Sequence, residues 1–412
     1  MKAITFLGIK PTETCYVFPN GQEHTAPFFG LALAQFIPNL IIRVFVTTAT
    51  SQLYEKEFRP AVQCQGVEPI HIPDGRDDAE LWEIFQRVVN SIDEGEEVIF
   101  DITHGFRSLP FLSFLAAAYL RKAKKIQLKH VFFGNFAARD QSVTPNRTPV
   151  LDLTNFVELL DWMVGADLFV RFGDARDLAN LLRAQHKRVK PDPKTASKDE
   201  MSAWNNSPIK TTADNLTTVS QALRVVRPAE VMKVSRQICQ QLPEAISSVG
   251  SLAKPFQPLA QQVVDSFQKI ACGDHELEAE RELIGWYLER DQIFQAVALM
   301  REWLVSWVMV QLGMSDQQLL EKEARANVEK VLGKAIREVR GADPEKGEEH
   351  TDDLSKLQTP VRKKVVNLYN QIGDLRNDLM HAGKRKESKS AKIVEQQAKK
   401  LYEEIKKLPL EQ

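Results

Sequence analysis

Apolar residues in the first 155 positions gather into six short runs, at 3–9, 41–48, 68–72, 97–102, 130–134 and 149–153. Each is rich in Val, Ile or Phe and apolar on both faces, as strands covered on both sides of a parallel sheet must be. Helical periodicity falls between them. Over 78–92, Leu81, Ile84, Phe85, Val88, Val89 and Ile92 share one stripe, with Asp77 or Asp78 placed to cap its start. Strands separated by helices of this length need right-handed crossovers, which predicts a Rossmann-like α/β sheet.

From Asn155 onward no strand pattern recurs. A helix is predicted over 156–185 with a break near Gly173, and 186–215, rich in Lys, Pro, Ser, Thr and Asn, reads as a loop or partly disordered insertion. Residues 216–271 read as several helices separated by Pro228, Pro243, Pro255 and Pro258. Helices follow over 276–312 and 316–340, then a charged loop over 341–356, then a last pair over 360–382 and 388–407. A chain of 412 residues is too long for one core. The expected division is an α/β domain over 1–155, an all-α connector over 156–275 with the polar insertion near 186–215, and a further all-α domain over 276–412.

Composition narrows the class. The chain is 43% apolar and 26% charged, ordinary for a globular protein, and its net charge of −1 advertises no global affinity for nucleic acid. RNA contact would have to use local basic stretches, at 121–125, 384–392 and 399–407. Cys15, Cys64, Cys239 and Cys272 are too dispersed for a zinc site or a disulfide framework, so no metal and a reducing compartment are expected. The first residues have no signal-peptide layout, and the apolar run at 109–120 contains a proline and is too short for a bilayer. A cytoplasmic protein without a membrane partner is the expectation.

Candidate chemistry falls at two places. Three strand ends are rich in hydroxyls: Gly8, Lys10 and Thr12 after the first, Thr47, Thr48, Thr50 and Ser51 after the second, and Thr103, His104, Gly105, Phe106, Arg107 and Ser108 after the fourth. Together they would form a crevice with many donors and few negative charges, and the helix opened by Ser108 would aim N–H groups at it. That favours an anion or nucleotide. Strand threonines, a capping serine and a structurally satisfied histidine would produce the same pattern without a ligand. Neither G-x-G-x-x-G after the first strand nor G-x-x-x-x-G-K-[ST] occurs, which disfavours a dinucleotide enzyme or a P-loop ATPase. The second place is Arg376-Asn-Asp-Leu-Met-His381, late in a helix whose Val365, Val366, Leu368, Tyr369, Ile372, Leu375 and Leu379 form a core face, closed by Gly383.

Asp101-Ile-Thr-His-Gly105 resembles the D-x-T-H-G motif of a family of CRISPR-associated proteins, and the following Phe-Arg-Ser-Leu-Pro is similar too. The likeness is strongest over 1–180 and resumes near the carboxyl terminus, the stretch between being only generically similar. It implies an amino-terminal CARF domain that dimerises and binds a cyclic oligoadenylate, here cyclic tetra- or hexa-adenylate, as an allosteric activator rather than a cofactor. Arg376 and His381 fit R-x4-H, the signature of HEPN ribonucleases. The resemblance implies a metal-independent endoribonuclease in type III CRISPR defence, with a composite site across a homodimer. Single-stranded RNA would be cut to 2′,3′-cyclic phosphate ends.

Arginine suits the charge on a phosphate, histidine suits proton transfer near neutral pH, and Asn377 would orient either the phosphate or His381. A helix-terminal histidine and a surface arginine paired with Asp374 or Asp378 is the competing reading. Arg301 and Glu302 interrupt an apolar stripe as a structural ion pair or a border of the cleft, and Trp303 and Trp307 belong in the core or a dimer interface. Thr103, His104 and Lys10 would also be placed to position a 2′-hydroxyl for slow cleavage of the activator itself. The alternative function is a non-enzymatic, ligand-responsive regulator binding nucleic acid through helices within 216–340. A metal-dependent DNase has only Asp343-Pro-Glu-Lys346 in its favour.

Overall fold

Eight strands form one sheet: β1 (Lys2–Phe6), β2 (Thr14–Val17), β3 (Glu23–Ala26), β4 (Ile41–Val46), β5 (Val67–His71), β6 (Glu97–Asp101), β7 (Gln127–Gly134) and β8 (Asn146–Asp152). Their order is β3-β2-β8-β7-β6-β1-β4-β5. The run from β7 to β5 through β6, β1 and β4 is parallel throughout. Antiparallel pairing enters only at β7 with β8 and at β2 with β3. The computed structural model describes residues 1–62, 66–105, 108–248, 253–273, 275–339, 354, 357–384 and 388–410, without the side chains of 253–255.

Helices cover both faces, as a parallel sheet requires. α1 (Phe29–Phe36), α2 (Thr48–Leu53) and α3 (Arg59–Ala61), the last two joined by a π-helical turn at Tyr54–Phe58, lie on the face where Ala3, Ile42, Val44, Ile99 and Phe132 point. α4 (Asp78–Asn90) and α5 (Leu109–Ala123) lie on the other, against Ile4, Phe6, Phe45, Val98 and Phe100. Alternate residues of one strand thus feed two separate cores. Asp77 caps α4 by accepting from the Glu80 N–H at 2.9 Å. Ser108 stands at the N-cap of α5 without a side-chain hydrogen bond, so its expected capping role is not fulfilled.

The chain divides into two compact units, Met1–Asp161 and Trp162–Gln412, with the division inside α6 (Thr154–Phe172). The second unit is helical among the described residues: α7 (Arg176–Arg188), α8 (Lys198–Asn205), α9 (Pro208–Arg224), α10 (Pro228–Ser247), α11 (Ala253–Ala271), α12 (Glu276–Glu289), α13 (Ile293–Gln311), α14 (Asp316–Leu319), α15 (Lys322–Val339), α16 (Thr359–Met380) and α17 (Ala391–Lys406). Gly173 sets the break between α6 and α7. Its φ is +71°, and a Cβ there would lie 2.4 Å from Cη2 of Trp286.

Several expectations are corrected. The stretch 186–215 holds α8 and the start of α9 rather than a loop, and α8 begins with a capping box in which Ser197 and Glu200 serve each other's backbone. Pro243 and Pro258 lie inside α10 and α11, and Pro255 lies within the first turn of α11. Neighbouring residues such as Leu242, Ala245, Ile246 and Ala260 are buried in the common core, and that burial outweighs the lost backbone bond. Strands β2 and β3 were not expected. Of the loop expected over 341–356 only Leu354, which is buried, is among the described residues, and Asp343-Pro-Glu-Lys346 lies outside them.

α13 is long and apolar enough to cross a membrane by length and composition. Its apolarity has another use here, because Val297, Met300, Trp303, Leu304, Trp307 and Val308 are buried in the core of the second unit. Trp303 and Trp307 are fully buried, and their indole N–H groups donate to the carbonyls of Leu277 and Pro409, both at 2.7 Å. Arg301 and Glu302 form an ion pair at 2.9 Å within a network, Glu302 also holding Arg325 and Arg301 also holding Glu329.

Candidate functional site

In the first unit β1 lies between β6 and β4, so the three hydroxyl-rich carboxyl ends stand side by side. In the parallel part of the sheet β4 and then β5 are laid down on one side of β1, and β6 and then β7 on the other, which creates the switch point where open α/β sheets bind ligands. Asp101, at the end of β6, is completely buried and anchors the turn that follows. Its carboxylate accepts from the Thr5 hydroxyl and, at 2.8 Å, from the Thr103 N–H. Thr103 in turn accepts from the Gly134 N–H at 2.9 Å, tying the turn to β7.

His104 packs against Gly8, where a Cβ would lie 3.3 Å from Nδ1 of the ring. Its Nε2 faces the Phe29 N–H at 3.4 Å and the Tyr16 hydroxyl at 3.5 Å. Both groups donate, so Nε2 accepts and the ring proton sits on Nδ1. Gly105 has φ +118° and faces Leu109, whose Cδ1 a Cβ would approach to 2.5 Å. Thr50 is buried and completes the start of α2, accepting from the Thr47 N–H at 2.9 Å.

The expected ligand residues thus separate by exposure. Lys10, Thr12, Thr48 and Gly105 are exposed; Gly8, Thr47, Ser51, Thr103, His104 and Ser108 are half-buried. Phe106 and Arg107 lie outside the described residues. Thr103 and His104 are committed to the fold, so among the three groups considered for cutting the activator only the Lys10 ammonium is uncommitted among the described residues. Thr5, Tyr16, Phe29 and Gly134 also support this end of the sheet and were not singled out from the sequence.

Asp101 and His104 respond to pH in opposite senses. Burial pushes the Asp101 carboxyl up from 3.8 to about 6, against hydrogen bonds from Thr5 and Thr103 that lower it. Between these values the folded chain keeps a proton the unfolded chain has lost, so this stabilisation disappears as pH rises. Burial pushes His104 down from 6.5 to about 4, so the unfolded chain takes up a proton the folded chain refuses, and stability falls as pH falls. The two offset each other in the native chain. Asp101→Asn is therefore expected to steepen the acid-side fall in unfolding free energy, by up to about 3 kcal/mol between roughly pH 6.5 and 4, measured by denaturant unfolding at each pH. Superimposable profiles of the two proteins would show that Asp101 is not buried as described.

In the second unit α16 ends at Met380, and His381 is its C-cap residue. Its N–H reaches the Asn377 carbonyl at 3.1 Å, and the Gly383 N–H reaches the Asp378 carbonyl at 3.1 Å with Gly383 at φ +67°. His381 and Asn377 are exposed and Arg376 is half-buried. Among the described residues Arg376 forms no ion pair with Asp378, against that part of the competing reading of the sequence. Arg376 instead lines a cavity of about 540 Å³ with Leu379 and Met380 of the same turn. Opposite walls come from α12, α13 and α15 and include Glu276, Glu280, Glu302 and Arg325. Burial and the neighbouring Glu276 push Glu280 up to about 7. Among the described residues no cluster of three or more His, Cys, Asp or Glu is arranged to hold a metal ion.

Comparison with known proteins agrees with the doubly covered sheet and its Asp101-Ile-Thr-His-Gly105 turn. Residues 3–136 match the family model for the CARF domain of the CRISPR system endoribonuclease Csx1, and the first unit therefore carries a CARF domain. Residues 158–276 match the family model for the second domain of the CRISPR-associated protein MJ1674. A curated relative, CRISPR-associated protein MJ1674 of Methanocaldococcus jannaschii, is 30% identical over 118 residues. That alignment covers 28% of this chain and 18% of the relative. Both matches are to CRISPR-associated families, and a CARF-containing CRISPR-associated protein is the class they define.

Proposed function

We propose that this chain is an endoribonuclease of type III CRISPR defence, activated by a cyclic oligoadenylate bound at the carboxyl ends of β1, β4 and β6. The observation that carries the reading is Arg376: a guanidinium without an ion-pair partner among the described residues, one helical turn before an exposed histidine at a helix end. Two copies of the chain would bring two such pairs together. The 2′-hydroxyl of the RNA attacks the adjacent phosphorus and loses its proton to one His381. Arg376 neutralises the charge gathering on the phosphoryl oxygens, and the 5′-oxygen leaves with a proton. A 2′,3′-cyclic phosphate and a 5′-hydroxyl remain, and no metal takes part.

Activator binding can drive this only through a higher affinity for the cleavage-competent arrangement. Lys10, Thr12, Thr48 and Ser51 offer the donors for its phosphates, beside the N-terminus of α5. The test is incubation with single-stranded RNA and cyclic tetra- or hexa-adenylate in excess EDTA, followed by analysis of the ends. Cleavage with 2′,3′-cyclic phosphate ends is expected. Cleavage that stops in EDTA, or salt-dependent duplex binding without cleavage, would replace this reading with a metal nuclease or a regulator.

A further inference from the structure

Arg376 shares its cavity of about 540 Å³ with a second guanidinium, that of Arg227. The other charged residues of the wall are Glu276, Glu280, Glu302 and Arg325. Glu302 is spent on Arg325 and Arg301, each at 2.9 Å. Glu276 lies in the first turn of α12, where the helix end offsets its charge. Burial pushes Glu280 up to about 7, so about half of it is neutral at neutral pH. Arg227 and Arg376 have no carboxylate partner among the described residues. An anion reaching the mouth thus meets two unpaired guanidiniums against one full carboxylate charge and a partial one.

Arg227 stands exposed in the turn between α9 and α10. Its Nη1 donates to the carbonyls of Val225 at 3.0 Å and Val226 at 3.3 Å. Those bonds pin the side chain and leave the edge carrying Nε and Nη2 without a partner among the described residues. Two N–H groups along one edge are the fork that grips a phosphate. The turn that holds this arginine is strained. The N–H groups of Val226 and Arg227 return to the carbonyls of Leu223 and Ala222, a helix closure whose left-handed residue is usually glycine. Val226 fills that place at φ +54°, an outlier for a β-branched residue of the kind that collects at functional sites. Capping explains the bonds of Nη1, but not why the same side chain stands in the wall beside Arg376.

We propose that Arg227 forms a second phosphate subsite, holding the RNA phosphate next to the scissile one, so that the strand is fixed at two consecutive phosphates across the cavity mouth. The inference rests on the ribonuclease reading, because Arg376 is what places the scissile phosphate at the rim. A strand held at one phosphate can swing about it. Held at two, it presents its 2′-hydroxyl to the phosphorus from a set direction. Contacts of this kind position the backbone and read no base, so the subsite adds affinity and alignment without sequence preference.

Binding can be read apart from cleavage. Labelled hexanucleotides of 2′-O-methyluridine, which lack the attacking hydroxyl, are titrated into the full chain at several salt concentrations with saturating cyclic tetra- or hexa-adenylate. Arg227→Ala should weaken binding about tenfold and reduce the slope of log affinity against log salt by about 0.7, the share of one phosphate of a single strand. Arg227→Gln can still donate to the carbonyls that end α9 but carries no charge. It should lose the same slope, and it serves should the alanine variant fail to fold. Arg227→Lys should keep the slope and recover only part of the affinity. The neighbouring position is checked with a 2′-O-methyl strand holding a single ribose, which can be cut at one linkage only. An uncharged methylphosphonate at the linkage beside it should slow cutting by the native chain about tenfold and cutting by Arg227→Ala hardly further. Unchanged affinity and slope in folded Arg227→Ala and Arg227→Gln would overturn the proposal and leave Arg227 as a cap of α9. Loss of the slope in both, in a chain whose native form cuts no RNA, would keep the subsite and remove the ribonuclease reading.

Discussion

Arg376→Ala and His381→Ala are each expected to abolish RNA cleavage, with rate losses on the order of 10²–10⁴ or more, while activator binding in the first unit is unchanged. The structure makes this a clean experiment. His381 is exposed beyond the last residue of α16, and Arg376 holds no ion pair among the described residues. His381→Ala, at an exposed residue, should leave stability within the range of surface substitutions, about 0.5 kcal/mol, as read from thermal unfolding. Arg376→Lys should recover little, since an ammonium cannot make two parallel bonds to a phosphate. Full cleavage by a folded His381→Ala protein would remove this residue from the site.

Gly105→Ala should weaken activation about tenfold or more without touching the helical unit. Its φ of +118° is one that L side chains rarely adopt. The new Cβ would lie 2.5 Å from Leu109, which is buried at the first turn of α5 and packed in the core of that face. Strain of this kind costs on the order of 1–3 kcal/mol. It falls on the turn that joins Thr103 and His104 to α5, and so on both the polar edge of the crevice and the helix end facing it. The measurement is the activator concentration giving half-maximal cleavage. An unchanged value would place the ligand elsewhere on the sheet.

How much of this was legible beforehand depended on distance along the chain. Six strands of the sheet and the crossing helices followed from apolar runs, because a strand covered on both faces has nowhere to put polar residues. Strands β2 and β3 escaped because the burial of Thr14 and Cys15 is not visible as an apolar run. In the first half of α9 the inward positions include Thr212 and Ala213, which read as polar or neutral, so 208–215 looked like a loop while the helix was read only from 216 onward. α8 is exposed almost throughout and has no stripe at all, although Ser197 and Glu200 carried a readable start signal. Around the site, the motif Asp101-Ile-Thr-His-Gly105 was conspicuous, but its partners were not. Thr5, Tyr16 and Phe29 stand 75 to 96 positions from the residues they hold. Arg376 and His381 lie within one short segment and could be proposed from it, whereas the cavity at Arg376 is assembled from six helices and the segments between them and has no trace in any one segment.

The most direct measurement is the rate at which the purified full chain cleaves a fluorogenic single-stranded RNA before and after cyclic tetra- or hexa-adenylate is added. The account predicts a rise of roughly 5- to 150-fold with one of the two rings, the range open to allosteric coupling, and binding of that ring by the His381→Ala protein as well. Equal rates with and without either ring, in a protein that binds neither, would contradict it.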